Sequence, residues 1–183
     1  ENAYYGCAAI ESFTVAPENT AYAAFDGCLY SKDLSTLYLV PQTKEAVTFA
    51  DGVRTVAAGA FYKSQVRSVV VPATVTTIEQ GAFAGVLRLE ELTVPFIGGS
   101  ATNTDTDYMM YIFGGTVSKS DSIQADGTYS YNTGSRSCTP TSLRKLTVSG
   151  DISFLGEFAF AYLTEVTEIH WNGDITYIDD YAF

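Results

Sequence analysis

The amino-acid sequence predicts a mainly β solenoid in which repeated coils, each of about 23 residues, stack into one elongated domain. Three observations predict it: a motif that recurs at this spacing, short apolar segments with strand-like alternation, and an Ala-Phe pair that closes most copies. Internal periods of roughly 20 to 50 residues are typical of arrays in which each unit packs only on its neighbours. With 183 residues, the chain is expected to form a single domain.

The first half of the repeat has the pattern of a short strand. Val66–Pro72 and, one period later, Leu89–Pro95 carry apolar side chains at repeat positions 1, 4 and 6. Leu143–Val148 and, again one period later, Val166–Trp171 do the same. Positions 4 and 6 are two residues apart and therefore share one face of a strand. We expect them to face the core, and positions 2, 3 and 5 to face solvent.

The second half of the repeat predicts a turn, a second extended segment and a closing turn. Pro72 is followed by Val75, Ile78 and the pair Ala82-Phe83, which gives the template L-x-x-L-x-V-P-x-x-V-x-x-I-x-x-x-A-F. We expect the Ala-Phe pair in a tight helical or turn-like segment, with Ala at a close backbone approach and Phe in the interior. Because one coil cannot bury its own apolar face, stacked coils must share a continuous core.

These Val-Pro-x-x-Val-x-x-Ile-x-x-x-Ala-Phe stretches resemble the leucine-rich repeat class, in particular the BspA-like family of bacterial and protist surface proteins. Residues 21–33 and 37–41 resemble an interruption found in that family, and residues 94–99 and 111–114 resemble another. The resemblance implies a right-handed leucine-rich-repeat array with short helical turns. It also implies an extracellular or cell-surface location, with any signal peptide or anchor outside this segment, and a role in adhesion without a catalytic set.

The spacing also predicts the domain boundaries. Insertions at 17–43 and 96–142 interrupt the array, which we expect to be a piece of a longer protein. In the first insertion, Asp26-Gly27 is a two-residue hairpin signal, so we expect a small antiparallel meander that seals the edge of the array. The second insertion is expected to be one long, partly ordered loop. The repeats are assigned to residues 1–16, 44–65, 66–88, 89–95 continued by 143–165, and 166–183.

Composition excludes several classes of function. Lys and Arg number 10 and Asp and Glu number 21, so the net charge is −11, and an acidic surface repels nucleic acid. No apolar run approaches the roughly 18–20 residues of a membrane span, so no membrane insertion by this segment is expected. The three cysteines have no Cys-x-x-Cys spacing, which argues against a structural zinc site and a disulfide scaffold.

Neither a catalytic set nor a cofactor or metal site is predicted. Asn103, Asp105 and Asp107 are spaced like the start of a calcium loop, but the loop's Gly at position 6 and Glu at position 12 are missing. His170 is the single histidine, and it falls at an outward repeat position. Asp179-Asp180 is expected to be a pair of solvated acids. Without a nucleophile and base at plausible spacing, the chain is not expected to be an enzyme.

The candidate binding residues are the charges on the outward strand positions and the tyrosines of the long insertion. The alternatives without a binding role are cross-strand charge pairing, which keeps a sheet soluble, and tyrosines that pack the insertion onto the array. Trp171, at repeat position 6, is expected in the core, covering an end coil. The candidates are Arg67, Glu90, Glu91, Arg144, Lys145, Glu168, His170, Tyr108, Tyr129 and Tyr131.

The sequence thus favours a non-catalytic cell-surface module that binds a protein or glycan ligand, because solenoids present extended binding faces. The first alternative is a structural spacer in a larger surface protein. A carbohydrate-active enzyme is the least favoured interpretation, since it rests only on the abundance of acidic and aromatic residues.

Overall fold

The structure is a computed structural model that describes residues 7–102, 107–115 and 139–183. These residues form a β solenoid of about five turns, built from ~23-residue coils with almost no helix, which confirms the predicted fold class. In chain order the elements are β1 (Tyr22–Phe25), β2 (Cys28–Ser31), β3 (Thr36–Leu39), β4 (Thr55–Val56), β5 (Ser68–Val70), β6 (Thr77–Ile78), β7 (Glu91–Val94), a 3-10 helix (Met109–Phe113), β8 (Lys145–Asp151), β9 (Phe154–Leu155), β10 (Glu168–Asn172) and β11 (Tyr177–Ile178).

The first halves of four coils form a parallel sheet with the spatial order β10-β8-β7-β5. Their register aligns equal repeat positions, so that Val69, Leu92 and Leu146 lie in one row across the strands. All three side chains are buried, as expected for repeat position 4. In the repeat assigned to residues 44–65, Val47–Phe49 forms no strand, and the sheet begins at β5.

The second halves of the coils form the opposite side of the stack. β4 pairs in parallel with β6, and β9 pairs in parallel with β11. The predicted meander is confirmed: β1, β2 and β3 are antiparallel neighbours, and β3 joins the array by parallel pairing with β4. Asp26 and Gly27 have φ of 49° and 71°, the left-handed conformations that a type I′ hairpin turn requires.

The Ala-Phe pairs lie at closing turns and face the core. Ala82 and Phe83 are fully buried, and the Phe61 and Phe83 rings stack with centroids 4.5 Å apart. The Phe61 N–H donates to the Ala82 carbonyl oxygen at 2.8 Å, which ties successive turns together. These segments are tight hydrogen-bonded turns, in line with the helical or turn-like segment expected for the Ala-Phe pair.

The residue before each Ala-Phe pair has a left-handed backbone. The φ angle is 70° at both Gly59 and Gly81, but 63° at Phe158 and 58° at Tyr181. A bulky residue in this region is uncommon because its Cβ crowds the backbone. The Phe158 and Tyr181 rings stack with centroids 5.7 Å apart and an interplanar angle of 14°, a contact that glycine cannot make.

The expected joining of residues 89–95 to 143–165 in one coil is wrong. β7 and β8 lie side by side as separate strands, with Leu92 beside Leu146. The Phe83 N–H donates to the Ile112 carbonyl oxygen at 2.9 Å, so Ile112-Phe113 takes the place of an Ala-Phe pair. The described residues 89–102 and 107–115 therefore belong to one coil and residues 143–165 to the next.

Candidate functional site

The candidate site is the outward face of the four-stranded sheet. Because its strands are parallel and in register, residues at the same repeat position form rows across it, about 4.8 Å apart. Backbone hydrogen bonds from Glu90 to Arg67 and from Arg144 to Glu90 bring the side chains at the second repeat position next to one another. The rows at the third and fifth repeat positions are Ser68, Glu91, Lys145 and Glu168, and Val70, Thr93, Thr147 and His170.

The row at the second repeat position contains an ion pair between neighbouring strands. Arg67 Nη1 lies 2.6 Å from Glu90 Oε1, and both side chains are more than half exposed. Arg144 Nη1 donates to the Thr141 carbonyl oxygen at 2.8 Å and lies 3.8 Å from Glu165 Oε2. Exposed pairs of this kind contribute only about 0.2–1 kcal/mol to stability. These charges therefore stay available to a ligand at little cost to the fold.

A shallow open depression of about 510 Å³ lies over β7, β8 and β10. Five of its lining residues were predicted as candidates, and Ser142 was missed. Ser142 comes immediately before the first apolar residue of a repeat, and its Oγ donates to the Leu89 carbonyl oxygen at 2.7 Å. A template that began one residue earlier could have found it. The lining residues are Glu90, Glu91, Ser142, Arg144, Lys145 and Glu168.

His170 lies at the end strand of the same face, as its repeat position predicts. Its Nε2 is 3.3 Å from Glu168 Oε2, and both side chains are more than half exposed. The contact is between two side chains of one strand at the surface. The contact between His170 and Glu168 therefore makes the edge of the face polar.

Of the three tyrosine candidates, the structure describes Tyr108 alone. Tyr108 is only 7% exposed, and its ring packs edge-on against Tyr111 with centroids 5.9 Å apart. The burial of Tyr108 argues against the expectation that it offers its side chain to a partner. Tyr129 and Tyr131 lie outside the described residues.

Trp171 also differs from expectation. Its side chain is 37% exposed, whereas Val148 at the same repeat position of the preceding coil is fully buried. Trp171 lies on β10, which is the last strand of its sheet in the part of the chain that the structure describes. Within the described residues β10 has one neighbouring strand, β8, which accounts for the partial exposure of Trp171.

The described residues contain no metal site. Within residues 7–102, 107–115 and 139–183, no group of three or more His, Cys, Asp or Glu side chains could hold a metal ion. Of the calcium-loop candidates, Asn103 and Asp105 lie outside these ranges. The Asp179 carboxylate accepts the Asp180 N–H at 2.8 Å, and its charge is the main reason that the pKa of Tyr177 is raised.

In the part of the chain that is described, none of the helical structure is both long enough and apolar enough to cross a membrane.

Comparisons with known proteins place the chain in a family. The family model described as "BspA type Leucine rich repeat region (6 copies)" matches residues 33–109 and 110–183. The comparison with curated proteins found no match. Among solved structures, a leucine-rich repeat protein from Eubacterium ventriosum is 18% identical with a TM-score of 0.58, over 99% of this chain and 48% of that one.

Two further solved structures align over most of the chain. A leucine rich cell surface protein from Faecalibacterium prausnitzii is 19% identical with a TM-score of 0.51, over 94% of this chain and 44% of that one. The pneumococcal vaccine antigen PcpA is 16% identical with a TM-score of 0.48, over 91% and 38%. The chain spans less than half the length of each of these proteins. The first two likenesses show the solenoid fold, and the family match extends from residue 33 to residue 183. The chain therefore belongs to the BspA type leucine-rich repeat family.

Proposed function

We propose that this chain is a non-catalytic binding module of a bacterial cell-surface protein, and that it holds a protein or glycan ligand on the outward face of the four-stranded sheet. The observation that carries the proposal is the set of in-register polar rows, with the depression of about 510 Å³ above them. Extended faces of this kind are what solenoid proteins use for binding. The surface location is supported by the family and by the cell-surface protein with the same fold.

The charges on the face indicate the kind of ligand it suits. The depression has acids at Glu90, Glu91 and Glu168 and bases at Arg144 and Lys145, so it offers both acceptors and donors. Its open, shallow shape suits an extended peptide or an oligosaccharide chain. The net charge of −11 disfavours polyanions such as sulfated glycosaminoglycans, because long-range repulsion slows their approach.

The test is a binding screen with the purified chain against extracellular matrix proteins and a glycan array. Replacing Glu91 and Lys145 together by Ala removes one acid and one base from the face and is expected to weaken binding at least about tenfold. The matched control replaces Asp51 and Lys63 by Ala, since both are exposed and lie outside the sheet. Both variants keep the net charge of the chain, so a difference between them reports the face itself.

Two results would overturn the proposal. One is a ligand whose affinity is unchanged by the Glu91 and Lys145 replacements. The other is uniform failure to bind, shared by the longer protein from which the module comes. The second result would favour the structural spacer, whose role needs the stacked coils but no ligand.

A further inference from the structure

We propose that the outward face of the four-stranded sheet binds a second copy of this chain in a two-fold symmetric dimer. The proposal rests on the proposed function, because it names a partner for the same face. It starts from the order of charges across the sheet. From β5 to β10, the charged residues at the second and third repeat positions are Arg67 before β5, Glu90 and Glu91 at β7, Arg144 and Lys145 at β8, and Glu168 on β10.

The signs therefore alternate from strand to strand as one positive, two negative, two positive and one negative charge. Strands at equal distances from the boundary between β7 and β8 therefore carry charges of opposite sign. We place a two-fold axis at that boundary, parallel to the strands and between two such faces. The strands of the two copies then run in the same direction, and their order across the sheet is reversed. β7 then lies over β8 of the second copy, and β5 lies over its β10. Such an interface is isologous, with the same patch used by both copies.

The charges of the two central strands are matched in this arrangement, whereas Arg67 and Glu168 oppose each other one residue out of register. Glu91 faces Lys145 of the second copy and Glu90 faces its Arg144, and symmetry repeats both pairs. At the fifth repeat position, Thr93 faces a threonine, Thr147. A two-fold axis perpendicular to the strands would instead lay each strand over its own copy and oppose like charges. The charge order thus specifies the orientation as well as the partner.

The distances suit long charged side chains. Stacked sheets pack about 10 Å apart, a gap that an Arg or Lys side chain and an opposing Glu can bridge together. The shallow depression bordered by Glu90, Arg144 and Lys145 leaves room for these side chains and for bridging water, which maintains polar contacts at little cost.

The face is also where two acidic copies can approach with the least repulsion. The three acids and three bases at its second and third repeat positions sum to zero, although the whole chain carries −11. The four strands offer only about 250 Å² per copy from strand spacing and rise, well below the roughly 800 Å² per partner of a standard stable interface. We therefore expect weak association in solution, strengthened by avidity where many copies share a surface.

Charge reversal provides the test. A basic variant, Glu90→Arg with Glu91→Lys, makes β7 and β8 both positive, and an acidic variant, Arg144→Glu with Lys145→Glu, makes both negative. Sedimentation equilibrium over a range of concentrations should show dimerisation of the unmodified chain. Each variant alone should dimerise at least about tenfold more weakly, because like charges then meet across the interface. An equimolar mixture of the two variants should restore association as a heterodimer.

The variant that carries all four reversals is the matched control. It keeps the net charge of −11 and inverts both central strands, so it should dimerise like the unmodified chain. Circular dichroism and urea unfolding check that every variant folds. Because the mixture uses only folded variants, its association cannot be explained by misfolding.

Three outcomes decide the proposal. It is overturned if the unmodified chain is monomeric at every concentration and the mixture stays monomeric, or if all variants dimerise alike through another surface. In either case a ligand found in the screen would still support the proposed function, with that ligand as the occupant of the face. Association of the mixture would support the second copy as the partner whatever the screen finds, because the screen tests the proposed function separately.

Discussion

The inner coils and the C-terminal coil use the same repeat positions but differ in what covers them. In the coil of residues 143–165 these positions are buried, and in the coil of residues 166–183 they are exposed. In the first of these coils, the exposed fractions are 0%, 0% and 2% at Val148, Leu155 and Phe160. In the second, they are 37%, 52% and 63% at Trp171, Ile178 and Phe183. Among the described residues, the same repeat positions are therefore buried in a coil with described neighbours on both sides and more exposed in the coil of residues 166–183, which has a described neighbour on one side.

The opposite end of the array is covered in a different way. The meander places Cys28, Tyr30 and Leu37 at 0% exposure, and β3 extends the sheet of β4 and β6. The Tyr30 hydroxyl accepts the Ala50 N–H at 3.3 Å, and burial raises the pKa of Tyr30 to about 12. The hairpin insertion thus covers the core side chains of the first coils, as a neighbouring coil covers those of the inner coils.

The largest expected contrast is between two phenylalanines at the same repeat position. Phe83 is fully buried and stacked on Phe61, whereas Phe183 is 63% exposed. Phe83→Ala should lower the free energy of unfolding by about 3–5 kcal/mol, since it removes contacts and leaves a cavity. Phe183→Ala should lower it by less than about 1 kcal/mol. Urea unfolding measures both, and equal losses would contradict the stacked core.

The isoleucines at the second extended segment give a smaller contrast with the same chemistry. Ile78 is fully buried between β4 and the backbone of Gly99, while Ile178 is 52% exposed. Ile78→Ala should cost about 3 kcal/mol of unfolding free energy, and Ile178→Ala less than about 1 kcal/mol. Because both changes delete the same atoms, a ratio near one would show that the last coil is covered in solution.

Asp26 tests how the meander is attached to the array. Burial acts to raise its pKa, but the Thr48 N–H at 2.7 Å and Lys44 Nζ at 3.1 Å outweigh this, so the pKa lies below its usual value. The stabilisation is complete above the unfolded-state pKa of about 3.9 and is lost as pH falls through the lower folded-state pKa.

Asp26→Asn should therefore cost about 0.5–1 kcal/mol at pH 7 and nothing once the pH is below the folded-state pKa. Asn tolerates the positive φ of this turn position, so the change isolates the charge. Urea unfolding at several pH values measures the effect, with Asp51→Asn at an exposed turn as control. A cost that persists unchanged in acid would rule out the ionic attachment.

The smallest effect is expected on the outward face. A double-mutant cycle of Arg67→Ala and Glu90→Ala should give a coupling of about 0.5 kcal/mol, because both side chains are more than half exposed and exposed pairs contribute little. The coupling should vanish near 1 M salt, where charges are screened within about 3 Å. A coupling above about 2 kcal/mol would exceed the usual range for exposed pairs and would mean that the face exists to stabilise the sheet.

Local patterns predicted much of the fold. Asp26-Gly27 located the hairpin, and the alternation at positions 4 and 6 located the buried rows, because both signals act over a few neighbouring residues. The coil closed by Ile112-Phe113 was missed, since Phe113 follows Phe83 by more than one period and its pair lacks Ala. Its closure depends on a hydrogen bond to the Phe83 turn, which spacing alone does not reveal.

The candidate site was predicted unevenly for the same reason. The charged row at the third repeat position follows from strand alternation, so Glu91 and Lys145 were found, whereas Arg67 and Glu90 lie just before their strands. The exposure of Trp171 and the burial of Tyr108 depend on which elements pack beside them. No local rule places aromatic side chains at the left-handed positions of Phe158 and Tyr181, because the ring stacking between adjacent coils is a tertiary contact.

The ladder of hydrogen-bonded coils has a mechanical consequence. Each coil is tied to the coils beside it, through pairs such as Phe61 to Ala82 and Phe160 to Ala182. Pulled at its two ends, the array should unravel coil by coil, and each coil should release about 80 Å of extended chain. In the role proposed above, the chain would therefore lengthen in regular steps under tension and dissipate load.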